Sequence, residues 1–226
     1  ELIPANVLYT IPKAQKEPKY IGLIVRWKYE KLAVFDISES GREIGEKLIL
    51  LLDERQRKEL AQYSPYIAIP KVSSQNRRYI PMDYLEGEII PGDKLFTMPS
   101  ATSYEFGILM SNVHMAWTRA VCGRLKSDYS YSNMIVYNNF PWPSPTNDQK
   151  EKIRKTAQAI LNARALYTDS NLADLYDPLT MPTELLKAHK ANNRAVMHAY
   201  GFSIKMSEAD CVAELMRMYQ KLTKEK

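Results

Sequence analysis

Apolar positions along this chain change their spacing from one segment to the next, and each spacing predicts an element. Residues 21–25 (IGLIV) and 32–35 (LAVF) are apolar runs around a charged 26–31 segment, the pattern of two strands joined by a turn. Residues 44–62 place Leu48, Leu51, Leu52 and Leu60 on one side of a helix. Between 66 and 100 the runs are short and end at proline: 66–69 before Pro70, 79–80 before Pro81, 88–90 before Pro91, and 95–98 before Pro99. Proline cannot donate to a central ladder, so these are strand ends. Phe106, Leu109, Val113, Trp117 and Val121 recur at helical spacing, which predicts one helix over 103–122. Thr102 and Glu105 have the spacing of a capping box at its start, and Gly123 follows its end.

A strand-like run, 134–137, leads into 138–145 (NNFPWPSP), where three prolines stiffen an extended connector. Beyond it the spacing is helical throughout. Thr146 with Gln149 caps a helix carrying Ile153, Ala157, Ile160 and Leu161; Pro182 opens another that ends at Gly201; Ser207 caps a last one through Val212, Leu215, Met216 and Tyr219. The expected fold is α+β: a mixed, strand-rich domain over 1–145 and a small helical bundle over 146–226.

Composition narrows the function classes. Of 226 residues, 45% are hydrophobic and 25% charged, enough for a buried core and too apolar for global disorder. The longest apolar run, Leu48 to Leu52, is far too short to span a bilayer, and Lys13, Lys16, Glu17 and Lys19 break up any signal-like stretch. A cytoplasmic chain with no membrane partner is expected. Cys122 and Cys211 lack a paired spacing, and His114, His189 and His198 are scattered, so neither a disulfide framework nor a metal site is predicted.

Net charge is +5, which alone says little about nucleic acid. Its distribution says more: Lys71, Arg77 and Arg78 lie in an acid-free run, as do Arg119, Arg124 and Lys126. On composition alone a solvated surface accounts for such runs slightly better than nucleic acid does.

Catalytic motifs are missing. The eight glycines never stand two apart, so there is no glycine-rich turn for S-adenosylmethionine. The N-P-P-[YF] motif that holds a target amino group in adenine methyltransferases is absent, as are a P-loop and G-x-S-x-G. Asp53, Glu54, Glu208 and Asp210 read as helix-surface and first-turn charges. The chain therefore reads as a binding module or as part of a larger enzyme.

Residues 69–82 (IPKVSSQNRRYIPM), 114–132 (HMAWTRAVCGRLKSDYSYS) with 136–143 (VYNNFPWP), and 172–182 (LADLYDPLTMP) with Ala188, His189 and the 199–201 segment carry a family likeness. Over 66–226 the chain resembles the C-terminal part of the MmeI-like (type IIL) restriction–modification enzymes. The resemblance implies a target recognition domain followed by a C-terminal helical domain, with double-stranded DNA as partner. It also implies an upstream methyltransferase domain in the same polypeptide. That parent would be an adenine-N6 methyltransferase using S-adenosylmethionine, with Mg2+ where a nuclease domain is present. No cofactor is expected in this chain. A stacked adenine must be flipped out for methylation, so the recognition domain must hold register meanwhile.

Within that frame Lys71, Arg77, Arg78, Arg119 and Arg124 are candidates for the DNA backbone. Ser74, Gln75 and Asn76, with Ser73 beside them, offer short polar groups to base edges, since Asn and Gln can pair bidentately with adenine. Lys126 and Asp128 flank Ser127; on an extended strand they would point to one side and could read a G·C pair, lysine on guanine O6 and N7, aspartate on cytosine N4. In the family the matching positions resemble a base-reading pair that varies with the recognised sequence. The alternatives are a polar surface loop for 73–76 and a surface ion pair for Lys126 and Asp128. Tyr129, Tyr131 and Tyr137 read as one packed face of a strand before they read as base-stacking groups, and Phe140 and Trp142 as interface packing. A protein-interaction module with no DNA affinity of its own is the competing function.

Overall fold

The computed structural model describes residues 65–85 and 94–224, together with the strand backbone at 9–10, 23–26 and 32–33. The helix expected over 44–62 and the strand and turn expected over 88–93 lie outside the described residues. The chain divides into two compact units, one formed by 1–69 with 83–101, the other by 70–82 with 102–226. The proline-rich connector thus lies inside the second unit.

Among the described residues the first unit holds two three-stranded sheets. β1 (Tyr9–Thr10), β2 (Leu23–Arg26) and β3 (Leu32–Ala33) pair in that order, each pair antiparallel; the turn expected over 26–31 falls on residues 27–31, outside the described ones. β4 (Tyr66–Pro70) is the middle strand of the second sheet; β6 (Asp83–Leu85) and β7 (Leu95–Pro99) flank it. Residues 66–69 are all buried, as a central strand covered on both faces should be, and Pro70 and Pro99 end their strands as expected.

The second unit is mainly helical and carries one small sheet. Its core is laid down by α1 (Ser103–Leu109), α2 (Asn112–Val121), α3 (Asn147–Ala165), the single turn α4 (Leu172–Leu175), α5 (Thr183–Ala199) and α6 (Glu208–Lys224). The expected caps form. Thr102 with Glu105 and Thr146 with Gln149 make reciprocal capping boxes. Ser207 accepts from the Asp210 amide at 3.1 Å. Gly201, with φ of 71°, closes α5 in a Schellman motif through Phe202 N–H to Met197 C=O and Gly201 N–H to His198 C=O.

Three expectations are corrected. The single helix over 103–122 is two helices, because Ser111 interrupts it. Its hydroxyl donates to the Ile108 carbonyl at 2.6 Å and accepts from the His114 amide at 3.3 Å, ending one helix and capping the next. The run 134–137 is no strand but a π-helical turn, Asn133–Tyr137. Side chains satisfy its carbonyls: Trp117 Nε1 donates to Val136, and Asn139 to Met134 and Ile135. Of its apolar residues only Val136 is buried. The strand expected at 79–80 is irregular but buried, with the Ile80 amide against Met115 Sδ at 3.4 Å.

The break between α1 and α2 leaves helix-end carbonyls and amides to be satisfied inside the core. One face of α5 does this. Asn192 Nδ2 donates to the Gly107 carbonyl at 2.7 Å, His189 Nδ1 lies 3.2 Å from the Met110 carbonyl, and Asn193 Oδ1 accepts from the Asn112 amide at 2.9 Å. Behind His189, its Nε2 meets the Tyr176 hydroxyl at 2.7 Å, and that oxygen accepts from Arg164 at 2.7 and 3.0 Å. His189 and Asn192 are fully buried, so these contacts compensate groups that water cannot reach.

A Cβ on Gly107 would stand 2.6 Å from Ile153 Cγ2 and 3.1 Å from Asn192 Oδ1. Gly107→Ala is therefore expected to lower stability by about 1–3 kcal/mol from overpacking, outweighing a helix-propensity gain of about 1 kcal/mol. Thermal unfolding checks this; an unchanged or raised Tm contradicts the packing described.

Burial pushes the imidazoles of His114 and His189 down to about 3, and nearby Arg164 adds to the effect at His189. Both are neutral in the fold, whereas an unfolded histidine titrates near about 6.5. Below that pH the unfolded chain takes up protons that the fold refuses. Stability should thus fall by about 1.4 kcal/mol per pH unit per histidine as pH drops from about 6.5 towards the folded value. Urea unfolding at pH 7, 6 and 5 measures it; a flat profile would mean these rings are not buried neutral.

Candidate nucleic-acid interface

Two segments 53 residues apart meet at one exposed edge of the second unit. The first is β5 (Val72–Ser73) with the turn that follows it, closed by Arg77 N–H to the Ser74 carbonyl at 3.2 Å and by Asn76 N–H to the Ser74 hydroxyl at 3.3 Å. The second is a hairpin of β8 (Gly123–Leu125) and β9 (Asp128–Ser130). The strand order is β5-β9-β8, with Val72 opposite Ser130 and Ser73 opposite Tyr129. Beyond the last rung the Asp128 carboxylate accepts from the Gln75 amide at 3.2 Å.

The pleat sorts the side chains. Ser73, Tyr129 and Tyr131 face inward and are each about 3% exposed. Val72, Ser130, Leu125 and Asp128 are paired on the other face. Arg124 lies over the Tyr129 ring at 4.2 Å and donates to the Ser127 carbonyl at 3.2 Å, so an exposed arginine is held by the hairpin it belongs to. The inward placement of Tyr129 and Tyr131 agrees with packing rather than stacking on bases. Tyr131 meets His114 Nε2 at 3.0 Å beneath the sheet, and Phe140 and Trp142 pack edge to face at 5.6 Å.

The extended geometry expected for Lys126 and Asp128 is corrected. Lys126 and Ser127 form a two-residue loop, and Asp128 opens the returning strand. Lys126 has φ of 57°, a left-handed value at the first loop position, where glycine is the usual occupant. The two side chains are therefore not related by strand alternation. Lys126 is exposed at the tip and Asp128 half-buried against the neighbouring turn. Among the described residues no ion pair joins them. The loop accounts for the missed geometry, since the sequence holds no glycine or asparagine to announce it.

The remaining candidates divide. Gln75, Asn76, Arg78 and Arg124 are exposed, and Ser74 and Lys71 half-buried. Ser73, placed with the base-reading group by sequence, is buried and out of reach. Arg77 turns away, its guanidinium 3.5 Å from the Ala173 carbonyl in a cleft it shares with Tyr167, Asp174 and Asp177. Arg119, expected at the DNA backbone, is held by α6 instead: Nε and Nη2 donate to Glu208 at 2.6 and 2.9 Å. A fork occupied by carboxylate cannot serve phosphate without breaking that bidentate pair. Leu125, 57% exposed between Arg124 and Lys126, and Val72, 45% exposed, are apolar groups on the same edge that sequence reasoning passed over. Apolar residues inside a basic run were the available signal.

Comparison with known proteins places this geometry. Residues 48–144 match the MmeI target recognition domain, and residues 145–225 match the MmeI C-terminal domain. DNA methyltransferase A of Bacillus subtilis (strain 168) is 39% identical over 169 residues, 75% of this chain and 19% of that protein. The type IIL restriction-modification enzyme MmeI, whose structure was solved in complex with DNA, superposes with a TM-score of 0.68 at 37% identity. That match covers 84% of this chain and 27% of the solved one, so the chain spans well under a third of either relative. The chain belongs to the MmeI family, and what it contains of that family is a target recognition domain joined to a C-terminal domain.

Proposed function

We propose that this chain reads a short sequence of double-stranded DNA on behalf of a restriction–modification polypeptide of which it forms part. The observation that carries the reading is the meeting of the 74–77 turn with the Lys126 loop on one exposed edge, in a family whose solved relative is bound to DNA. Lys71, Arg78 and Arg124 supply phosphate contacts that set register, with Arg77 able to join them from the rim of its cleft. Lys126, Asp128, Ser74, Gln75 and Asn76 supply the base-edge contacts that choose sequence.

The left-handed backbone at Lys126 supports a functional side chain there. A lysine costs more than glycine at such a position, and strain of this kind is retained where a site uses it.

Methylation itself is assigned to polypeptide outside this chain. Among the described residues no glycine fits a turn approaching S-adenosylmethionine: Gly107 fills a helix crossing, Gly123 begins a strand and Gly201 caps a helix. The proposed parent activity is adenine-N6 methylation using S-adenosylmethionine, with the adenine flipped out of the duplex while this module holds the site. Where a nuclease domain accompanies it, that domain would use Mg2+.

Two outcomes follow for the full-length protein. Lys126→Gly relieves the strained backbone, so the variant should fold at least as stably as the parent, while discrimination at one base pair falls by roughly 10-fold or more. Profiling binding or modification across a library of variant sites reads this directly; an unchanged profile removes Lys126 from base recognition. Separately, about four phosphate contacts should weaken binding roughly 100-fold between 50 and 200 mM salt through counterion release. Affinity insensitive to salt, or no affinity at low salt, would favour a protein-interaction module.

A further inference from the structure

We propose that Asp128 is a positioning residue that couples the 74–77 turn to the hairpin, so that base pairs read by the two segments are not chosen independently. The proposal rests on the DNA-reading function above. Three observations support it. The β5–β9 ladder runs from Tyr131 N–H to the Lys71 carbonyl at 2.8 Å up to the Ser73–Tyr129 pair and stops there. The next link is made by a side chain: Asp128 Oδ1 takes the Gln75 amide at 3.2 Å. The turn's own bonds engage the amides of Asn76 and Arg77, so the Gln75 amide is the donor left to reach outward.

The chemistry lets one carboxylate serve twice. Its two oxygens offer about four acceptor sites. Oδ1 holds the turn, and Oδ2 remains for a base amino group. Asp128 also pairs with Leu125 across the closing rung of the hairpin, on the face opposite Arg124 and Tyr129. A displacement of the Lys126 loop is therefore carried by Asp128 to the backbone that presents Gln75 and Asn76. Exchanging residues at 126 and 128 without regard to the turn would then move more than one base preference.

The test separates the Gln75 amide from the Gln75 side chain in the full-length protein. Gln75→Ala keeps the N–H and removes the side chain. Gln75→Pro removes the N–H while suiting the second position of a type I turn. Gln75→Ala is expected to alter preference at one base pair only. Gln75→Pro should also alter preference at the pair read from the hairpin, and should combine non-additively with Asp128→Ala by about tenfold. Hydrogen exchange at the Gln75 amide gives a readout without DNA: it should speed up by about tenfold or more in Asp128→Ala and stay slow in Asp128→Asn, which keeps an acceptor oxygen. Identical profiles for the two Gln75 variants, with additive effects, would overturn the coupling while leaving DNA reading intact. If no variant here, nor Lys126→Gly, moves any base preference, the DNA-reading proposal fails and this one falls with it, whatever the amide shows.

Discussion

The second unit is organised by the way α5 closes the gap between α1 and α2. A chain that breaks a helix inside its core exposes carbonyls and amides to an environment without water, and each must find a partner or cost on the order of 1–3 kcal/mol. His189, Asn192 and Asn193 occupy one face of α5 and supply those partners to Met110, Gly107 and Asn112. The same face carries the arrangement outward. Tyr79 stacks on His189 with ring centroids 4.1 Å apart, and its hydroxyl accepts from Asn193 at 2.8 Å. Tyr79 lies just past the turn that presents Gln75 and Asn76. The proposed reading surface is therefore anchored through a buried polar network rather than through the exposed edge itself.

A second anchor holds the hairpin. Tyr129 is buried beneath it and Arg124 covers the ring, while Arg119 grips Glu208 at the start of α6. Rigid support under an exposed loop is what base readout requires, because a hydrogen-bonding group discriminates only if it cannot adapt to the wrong partner. The basic residues then divide by role. Arg78 and Lys126 lie exposed, Arg124 is exposed but held over Tyr129, and Arg119 serves the fold.

How much of this the sequence disclosed depends on the kind of signal. Caps at Thr102, Thr146 and Ser207 and the glycine end of α5 are local chemistry, and local chemistry is legible in a linear string. Elements whose form depends on distant side chains were not legible. Ser111 looks like one polar residue in a helical stripe until its two bonds to the flanking turns are seen. The 134–137 run has a strand's composition, yet Trp117 and Asn139 bond its carbonyls in a helical turn. The candidate site followed the same rule. Residue types and both segments were apparent from sequence, whereas the Lys126 backbone, the capture of Arg119 by Glu208 and the Gln75–Asp128 link arise only when segments meet.

The proposed reading surface is one exposed edge, built from the 74–77 turn and the Lys126 loop, turned to the base pairs. A crystal structure of the full-length protein on its preferred duplex tests it most directly. Lys126 and at least one of Gln75 and Asn76 should lie within about 2.7–3.2 Å of base-edge atoms in a groove, with Arg119 still paired to Glu208. A duplex bound against another face, with that edge in open solvent, would contradict it.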